Sequence, residues 1–349
     1  MREDVRLTSF SHGAGCACKL GPSDLAQVLG LTPAPAMPEA VLVSAETGDD
    51  AAAYRLPDGR ALVATVDFFT PIVDDPYDWG RIAAANAFSD VYAMGAEPAF
   101  ALNIVAWPVD DLPLEMLADV LRGGQAVAAQ AGAVVLGGHT ITDPEPKYGM
   151  VALGFATVEA LARNSTAPPG AGLYLTKPLG TGIISTAIKR GIAEAEQVRA
   201  AVELMTTLNA AAARAMREAR VEAATDVTGF GLLGHLHRML EASGVAARLD
   251  AGAVPLLAGV LELAARDVVP GGTKRNLAFV RPYLDAASLT EPELLVLADA
   301  QTSGGLLIAA TRGEELEGAL TRLGVPYARI GETVAGVPGR ISVAGRPAG

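Results

Sequence analysis

From Val41 onward the chain alternates short apolar runs of β character with longer stretches at helical spacing. Ala61-Leu62-Val63-Ala64-Thr65-Val66 reads as a strand running into Asp67, and Phe100-Ala101-Leu102-Asn103-Ile104-Val105 as a second. Arg81 to Met94 has Ala-rich helical spacing, and Leu114 to Ala131 reads as an amphipathic helix. Ala133-Val134-Val135-Leu136 is expected to be a short buried strand ending at Gly137-Gly138, with another strand over Met150 to Thr157. The turn formers of Asn164-Ser165-Thr166-Ala167-Pro168-Pro169-Gly170 then mark a linker. Gly172 to Leu175 restarts a strand, helices are predicted at about 181–192 and 196–219, and the alternation continues to about residue 344. Two consecutive α/β units follow from this pattern. Upstream, Pro33, Pro35 and Pro38 deny the polar lead a continuous helix. The expected organisation is a flexible N-terminal segment over 1–40, an N-terminal domain over 41–160 and a C-terminal α/β domain over 168–345.

Composition narrows the function. The 349 residues suffice for two cores, and with half the residues hydrophobic but only 5% aromatic, those cores are built from Ala, Val and Leu. Twenty-seven basic against 39 acidic residues give a net charge of −12, which argues against nucleic acid or an anionic membrane as partner. A polyanionic substrate then needs a metal ion to bridge it to local carboxylates. Two cysteines one residue apart make a poor structural disulfide and are too few for a closed zinc site, so a reducing cytoplasm is the expected compartment. No secretory h-region follows Met1, and Gly or charge interrupts each apolar stretch before membrane-spanning length.

Both cysteines fall in Ser11-His12-Gly13-Ala14-Gly15-Cys16-Ala17-Cys18-Lys19, where no hydrophobic periodicity explains them. Glycines leave this backbone free to approach a ligand, and a basic residue after Cys18 favours a thiolate. Only five of the basic residues are lysines, so Lys19 stands out. A disordered Gly-rich arm is the alternative reading of the same run.

Five aspartates sit at apparent loop or strand-end positions: Asp49, Asp50, Asp67, Asp90 and Asp226. Gathered around one site they would repel one another without hard cations such as Mg²⁺, whereas each alone serves as a cap or turn residue. Gly137-Gly138-His139-Thr140 is expected to be an anion-binding turn, or merely a tight one. Pro270-Gly271-Gly272-Thr273-Lys274-Arg275-Asn276 reads as a flexible turn with two adjacent cations, suited to phosphate or to solvent. Gln301-Thr302-Ser303-Gly304-Gly305 is a further polar turn entering Leu306-Leu307-Ile308. Gly229-Phe230-Gly231-Leu232-Leu233-Gly234 has G-x-G-x-x-G spacing, but Asp226 just before it would repel a pyrophosphate unless a cation intervened. It reads as a metal-presenting turn opening a helix. His235 and His237, two apart on that helix, face different ways and make a poor metal pair.

Taken together, the Cys16 to Lys19 run, Thr47-Gly48-Asp49-Asp50, Thr65 to Phe69, Asn86 to Asp90, Gly137 to Thr140, Thr225 to Gly231, Pro270 to Asn276 and Gln301 to Gly305 resemble the selenophosphate synthetase (selenide, water dikinase) family. The runs come in the family's order and span nearly the whole chain. The resemblance implies conversion of ATP, hydrogen selenide and water to selenophosphate, AMP and orthophosphate. It implies Cys16 and Lys19 as catalytic residues and Asp50, Asp90 and Asp226 as Mg²⁺ ligands. Lys19, Thr47, Gly48, Asp49, Asp67 and Asp90 would contribute to ATP binding, as would Gly138, His139 and Thr140 from a partner subunit. It further implies stimulation by K⁺, a homodimer, and a protein that delivers selenium. The fold implied is that of the aminoimidazole ribonucleotide synthetase superfamily: an N-terminal α/β domain whose sheet joins its mate's in a dimer β-barrel, a C-terminal α/β domain, and a flexible Gly-rich lid. A superfamily kinase or synthetase acting on another small molecule would share the acidic sites but lack the Cys16–Lys19 run. A non-catalytic selenium or soft-metal carrier would leave the placed aspartates without a purpose.

Overall fold

The computed structural model describes residues 6–11, 13, 15, 27, 28, 30, 31, 37–44 and 49–348. Cys16, Lys19, Thr47 and Gly48 lie outside the described residues.

The first half contains β1 (Val41–Val43), β2 (Ala52–Arg55), β3 (Arg60–Phe69), α1 (Pro76–Ala93), β4 (Glu97–Trp107), α2 (Leu114–Gln130), β5 (Val134–Thr142) and β6 (Lys147–Thr157). Its six-stranded sheet has the order β1-β2-β3-β6-β4-β5, antiparallel except for β4 against β5, which α2 joins as a crossover. Asp75 caps α1 by accepting from the Asp78 N–H, and Pro76 occupies its first turn. Only glycine lets α1 and α2 lie so close: a Cβ on Gly80 would fall 2.0 Å from the Val120 carbonyl oxygen, and one on Gly123 2.1 Å from that of Tyr77.

The second half comprises β7 (Gly172–Leu175), α3 (Thr181–Lys189), α4 (Ala195–Thr206), α5 (Ala210–Ala219), β8 (Ala223–Asp226), α6 (Gly231–Ser243), β9 (Ala246–Asp250), α7 (Val260–Ala265), α8 (Gly271–Val280), β10 (Leu284–Asp285), α9 (Glu291–Leu297), β11 (Leu306–Ala310), α10 (Gly313–Arg322), β12 (Ala328–Val334) and β13 (Ile341–Ala344). The mixed seven-stranded sheet runs β10-β13-β9-β12-β7-β11-β8. The helix predicted at 196–219 is two, α4 and α5, because the backbone turns extended at Thr207 (φ −73°, ψ 122°), and Asn209, the N-cap of α5, donates to Ser89 Oγ and the Gly304 carbonyl, each at 2.9 Å.

Helix α1 is buried along nearly its whole length, because it packs on β3 and β6 on one side and on α4, α5 and β8 on the other. The two halves therefore share one continuous apolar core. The opposite face of the first sheet is open. Val66, Val151 and Leu102 form one cross-strand row there, with Val66 and Leu102 exposed, and the edge strand β5 exposes Val134, Leu136 and Ile141.

Two predicted turns are regular elements. Gly137 to Thr140 continues β5, an exposed strand rather than a buried one, because β4 supplies ladder partners such as Asn103 opposite Gly138. Pro270 to Asn276 opens α8; Pro270 is its N-cap, while Thr273 and Asn276 are buried and bonded to Asp299 Oδ1 and the Gly229 carbonyl.

Candidate active site

The five aspartates converge. Asp49 and Asp50 lie before β2, Asp67 inside β3, Asp90 in the last turn of α1 and Asp226 at the end of β8. Asp67 and Asp90 thus sit within regular elements, not at the loop or strand-end positions expected; alternation along β3 turns Asp67 inward, and the helical path of α1 carries Asp90 to the same place. All five line one cavity of about 170 Å³ between the two domains.

Each carboxylate is held. Asn86 Nδ2 donates to Asp67 Oδ2 at 2.8 Å, while Asn86 Oδ1 accepts the Ser303 N–H at 2.8 Å across the domain seam. Thr65 donates to Asp90. Asp49 Oδ1 accepts the Asn164 N–H at 3.2 Å. Thr225 Oγ1 donates to Asp50 Oδ1 at 2.6 Å, and Thr228 Oγ1 reaches Asp226 Oδ1 at 3.4 Å. Burial, reinforced by Asp226, Asp49 and Asp90, holds the Asp50 carboxyl well above the usual carboxylate range. Burial also lifts Asp49 to about 6, against the Asn164 and Asp50 N–H groups. Nearby, Lys177 donates to the Thr207 and Ser303 carbonyls at 2.6 and 2.9 Å; burial lowers it to about 7, and Asp226 opposes that shift.

A divalent cation fits this cavity. Asp50 Oδ2 is buried with no hydrogen-bond partner among the described residues, and the surrounding donors are hard carboxylate oxygens. Ligand atoms of Asp50, Asp226 and His235 lie within 4.8 Å of one another. The sequence missed His235, having weighed it only against His237. Its Nε2 accepts the Thr228 and Phe230 N–H groups at 3.2 and 3.4 Å, so the ring fastens the turn between Asp226 and α6. His237 instead contacts the Gly339 carbonyl and stacks on Tyr283.

A larger cavity of about 850 Å³ shares Val66 and Asp67 with the acidic one. Its walls carry Lys147, Lys189, Arg190 and Arg275, and Gly271 and Gly272 at the N-terminus of α8. Acidic and cationic chambers joined at one aspartate suit a polyphosphate whose charge is met by metal at one end and by cations at the other. Gly13 and Gly15 also line this larger chamber, immediately before Cys16. Gly138, His139 and Thr140 line neither chamber; they lie on the exposed edge strand of the same protomer.

The fold defines the class: residues 48–156 match the AIR synthase related protein N-terminal domain, and residues 168–344 its C-terminal domain. Among solved structures, tt0281 from Thermus thermophilus superposes with a TM-score of 0.69 at 22% identity, over 95% of this chain and 99% of that one. AaThiL complexed with AMPPCP and TMP gives 0.68 at 17% identity, over 94% and 95%. Sequence similarity goes further than the shared fold. The selenide, water dikinase of Myxococcus xanthus is 53% identical over 339 residues, 96% of each chain, and that of Carboxydothermus hydrogenoformans 49% identical over 344 residues, 98% of this chain and 99% of its own. The chain belongs to the selenide, water dikinase family.

Proposed function

We propose that the two joined chambers carry out selenophosphate synthesis from ATP, hydrogen selenide and water, with release of AMP and orthophosphate. The observation that carries this reading is the meeting of the acidic and cationic chambers at Asp67, with the chain entering the Cys16–Lys19 run from the wall of the second. Family membership makes ATP the phosphoryl donor. Two phosphoanhydride bonds break: selenide takes the γ-phosphoryl group, and water takes the β-phosphoryl of the remaining ADP as orthophosphate, leaving AMP.

Asp50, Asp90 and Asp226 would hold Mg²⁺, which when bound supplies neutralisation of phosphate charge as it builds. Asp49, Asp67, Thr47 and Gly48 position the nucleotide beside it, and Asp90 serves both. Lys19 meets the phosphates, and Cys16 guides the soft selenide nucleophile while a Gly-rich lid excludes water. The homodimer is supported by the uncovered apolar face of the first sheet, and it lets Gly138, His139 and Thr140 act on the neighbouring site. K⁺ stimulation and a selenium-delivery partner belong to the same reading. No helix among the described residues is long and apolar enough to cross a membrane.

The test is ³¹P NMR of the purified chain with ATP, Mg²⁺, K⁺ and anaerobic selenide. A selenophosphate resonance rising together with AMP and orthophosphate is expected, and its loss in Cys16→Ser with ATP binding kept. Turnover of ATP to ADP alone would overturn the reaction, and synthesis by the Cys16→Ser chain would remove Cys16 from it.

A further inference from the structure

Residues 6–11, with Gly13 and Gly15, form a strap across the seam between the domains. On the N-terminal side, Asp74 Oδ1 accepts from Thr8 N at 3.0 Å and Thr8 Oγ1 at 2.6 Å, and Arg6 Nε reaches Asp74 Oδ2 at 3.2 Å. Ser11 Oγ donates to Thr70 Oγ1 at 2.6 Å. On the C-terminal side, Arg6 Nη2 donates to the Ile188 carbonyl at 2.7 Å, and Lys189 Nζ donates to the Ser11 and Gly13 carbonyls at 2.5 and 3.2 Å. Gly15, at φ +54°, is wedged between the domains; a Cβ there would fall 2.5 Å from Ile72 Cγ2 and 2.6 Å from Thr302 Oγ1.

Lys189 has a second aspect. It is the last residue of α3 and lines the cationic chamber beside Arg190 and Arg275. An ammonium has three donors, and two of them go to the strap carbonyls among the described residues. The third has no partner among the described residues and can meet an anion in the chamber without releasing the other two. A bond to a phosphate oxygen is charge-assisted and roughly twice as strong as a neutral one.

We propose that Lys189 is a positioning residue for phosphoryl transfer: through the Ser11 and Gly13 carbonyls it fixes the chain just before Cys16, and it couples that docking to phosphate in the chamber. The proposal rests on the reading that the Cys16–Lys19 run serves the chemistry. Occupancy of the chamber then tightens the strap at the point where the run begins.

The experiment is limited trypsin digestion of the full chain with and without Mg²⁺ and a non-hydrolysable ATP analogue, following cleavage after Lys19, beside steady-state kinetics. In the native chain the analogue is expected to slow that cleavage. Lys189→Met should lose the protection, and kcat should fall on the order of a hundredfold, as for a misplaced reacting group. Its KM for ATP should rise by roughly tenfold or more, the worth of one hydrogen bond to a charged group. Lys189→Arg should restore part of both. Asp74→Ala, which lines no part of the chamber, should speed cleavage without the analogue and keep the response to it. Native-like protection in Lys189→Met, or lost protection with unchanged kcat, would overturn the proposal. A native chain that made no selenophosphate yet showed Lys189-dependent protection would instead overturn the functional reading and leave the coupling standing.

Discussion

Thr225 and Asp50 join the two domains across the acidic cavity through a 2.6 Å hydrogen bond from Thr225 Oγ1 to Asp50 Oδ1. It opposes the burial and the neighbouring carboxylates that push the Asp50 carboxyl toward its protonated form. Thr225→Val keeps the shape and removes the donor. A hydrogen bond to a charged group is worth about 1.5–3 kcal/mol, so the Mg²⁺ concentration at half-maximal activity should rise by roughly tenfold or more. An Mg²⁺ titration unchanged in the variant would show that Asp50 takes no part in holding the ion.

The same cluster sets a pH dependence. Asp49, lifted to about 6, and Asp50, held well above the usual carboxylate range, keep protons in the folded chain that the unfolded chain has released above about pH 4. The metal-free chain should therefore lose stability as pH rises from about 4 through 6. On the proposed reading Mg²⁺ would bind the deprotonated carboxylates, so its stabilisation should be small at pH 5 and on the order of 5 °C in Tm at pH 8. Thermal melts with and without Mg²⁺ test this. Asp50→Asn should flatten the metal-free slope, and an equal slope in both chains would place its origin elsewhere.

Periodicity revealed most elements, and local chemistry decided the exceptions. Gly172–Leu175 was legible at both ends because it is short, apolar and bounded by turn formers. The start of α1 at Pro76 was not, because a buried helix apolar on several sides lacks a clear stripe and its signal is the Asp75 cap. Gly137-Gly138 suggested a turn, but the pairing of β5 with β4 supplied long-range bonds that override the weak strand propensity of glycine. The aspartates were legible as residue types; their convergence was not, since Asp50 and Asp226 come from different domains. His235 was passed over for the same reason: the groups that give it meaning are Asp226 and the N–H groups of Thr228 and Phe230, not His237.

His235 acts on the site through that turn. With Nε2 accepting two backbone N–H groups, the ring holds the peptide planes that follow Asp226. His235→Leu fills the space without an acceptor, whereas His235→Gln returns one. Loss of a partner that orients a metal ligand costs about 10–100-fold in metal affinity, so the Leu variant should weaken Mn²⁺ binding, read by electron paramagnetic resonance, by that factor. The Gln variant should stay near native. Equal losses in the two would mean that the ring packs rather than positions.

The last relationship concerns the open sheet face. Val66, Val151 and Leu102 stand in one cross-strand row, and β5 exposes Leu136 and Ile141 on the same sheet's edge. Exposed apolar side chains clustered on one sheet favour burial against a second copy. Light scattering should therefore report a dimer for the native chain. A Leu102→Asp, Ile141→Asp double variant should be monomeric with native circular dichroism, because neither side chain is part of the protomer core. That monomer should also lose activity, since Gly138, His139 and Thr140 sit on β5, away from their own protomer's chambers. A fully active monomer would refute a shared site and confine the chemistry to one chain.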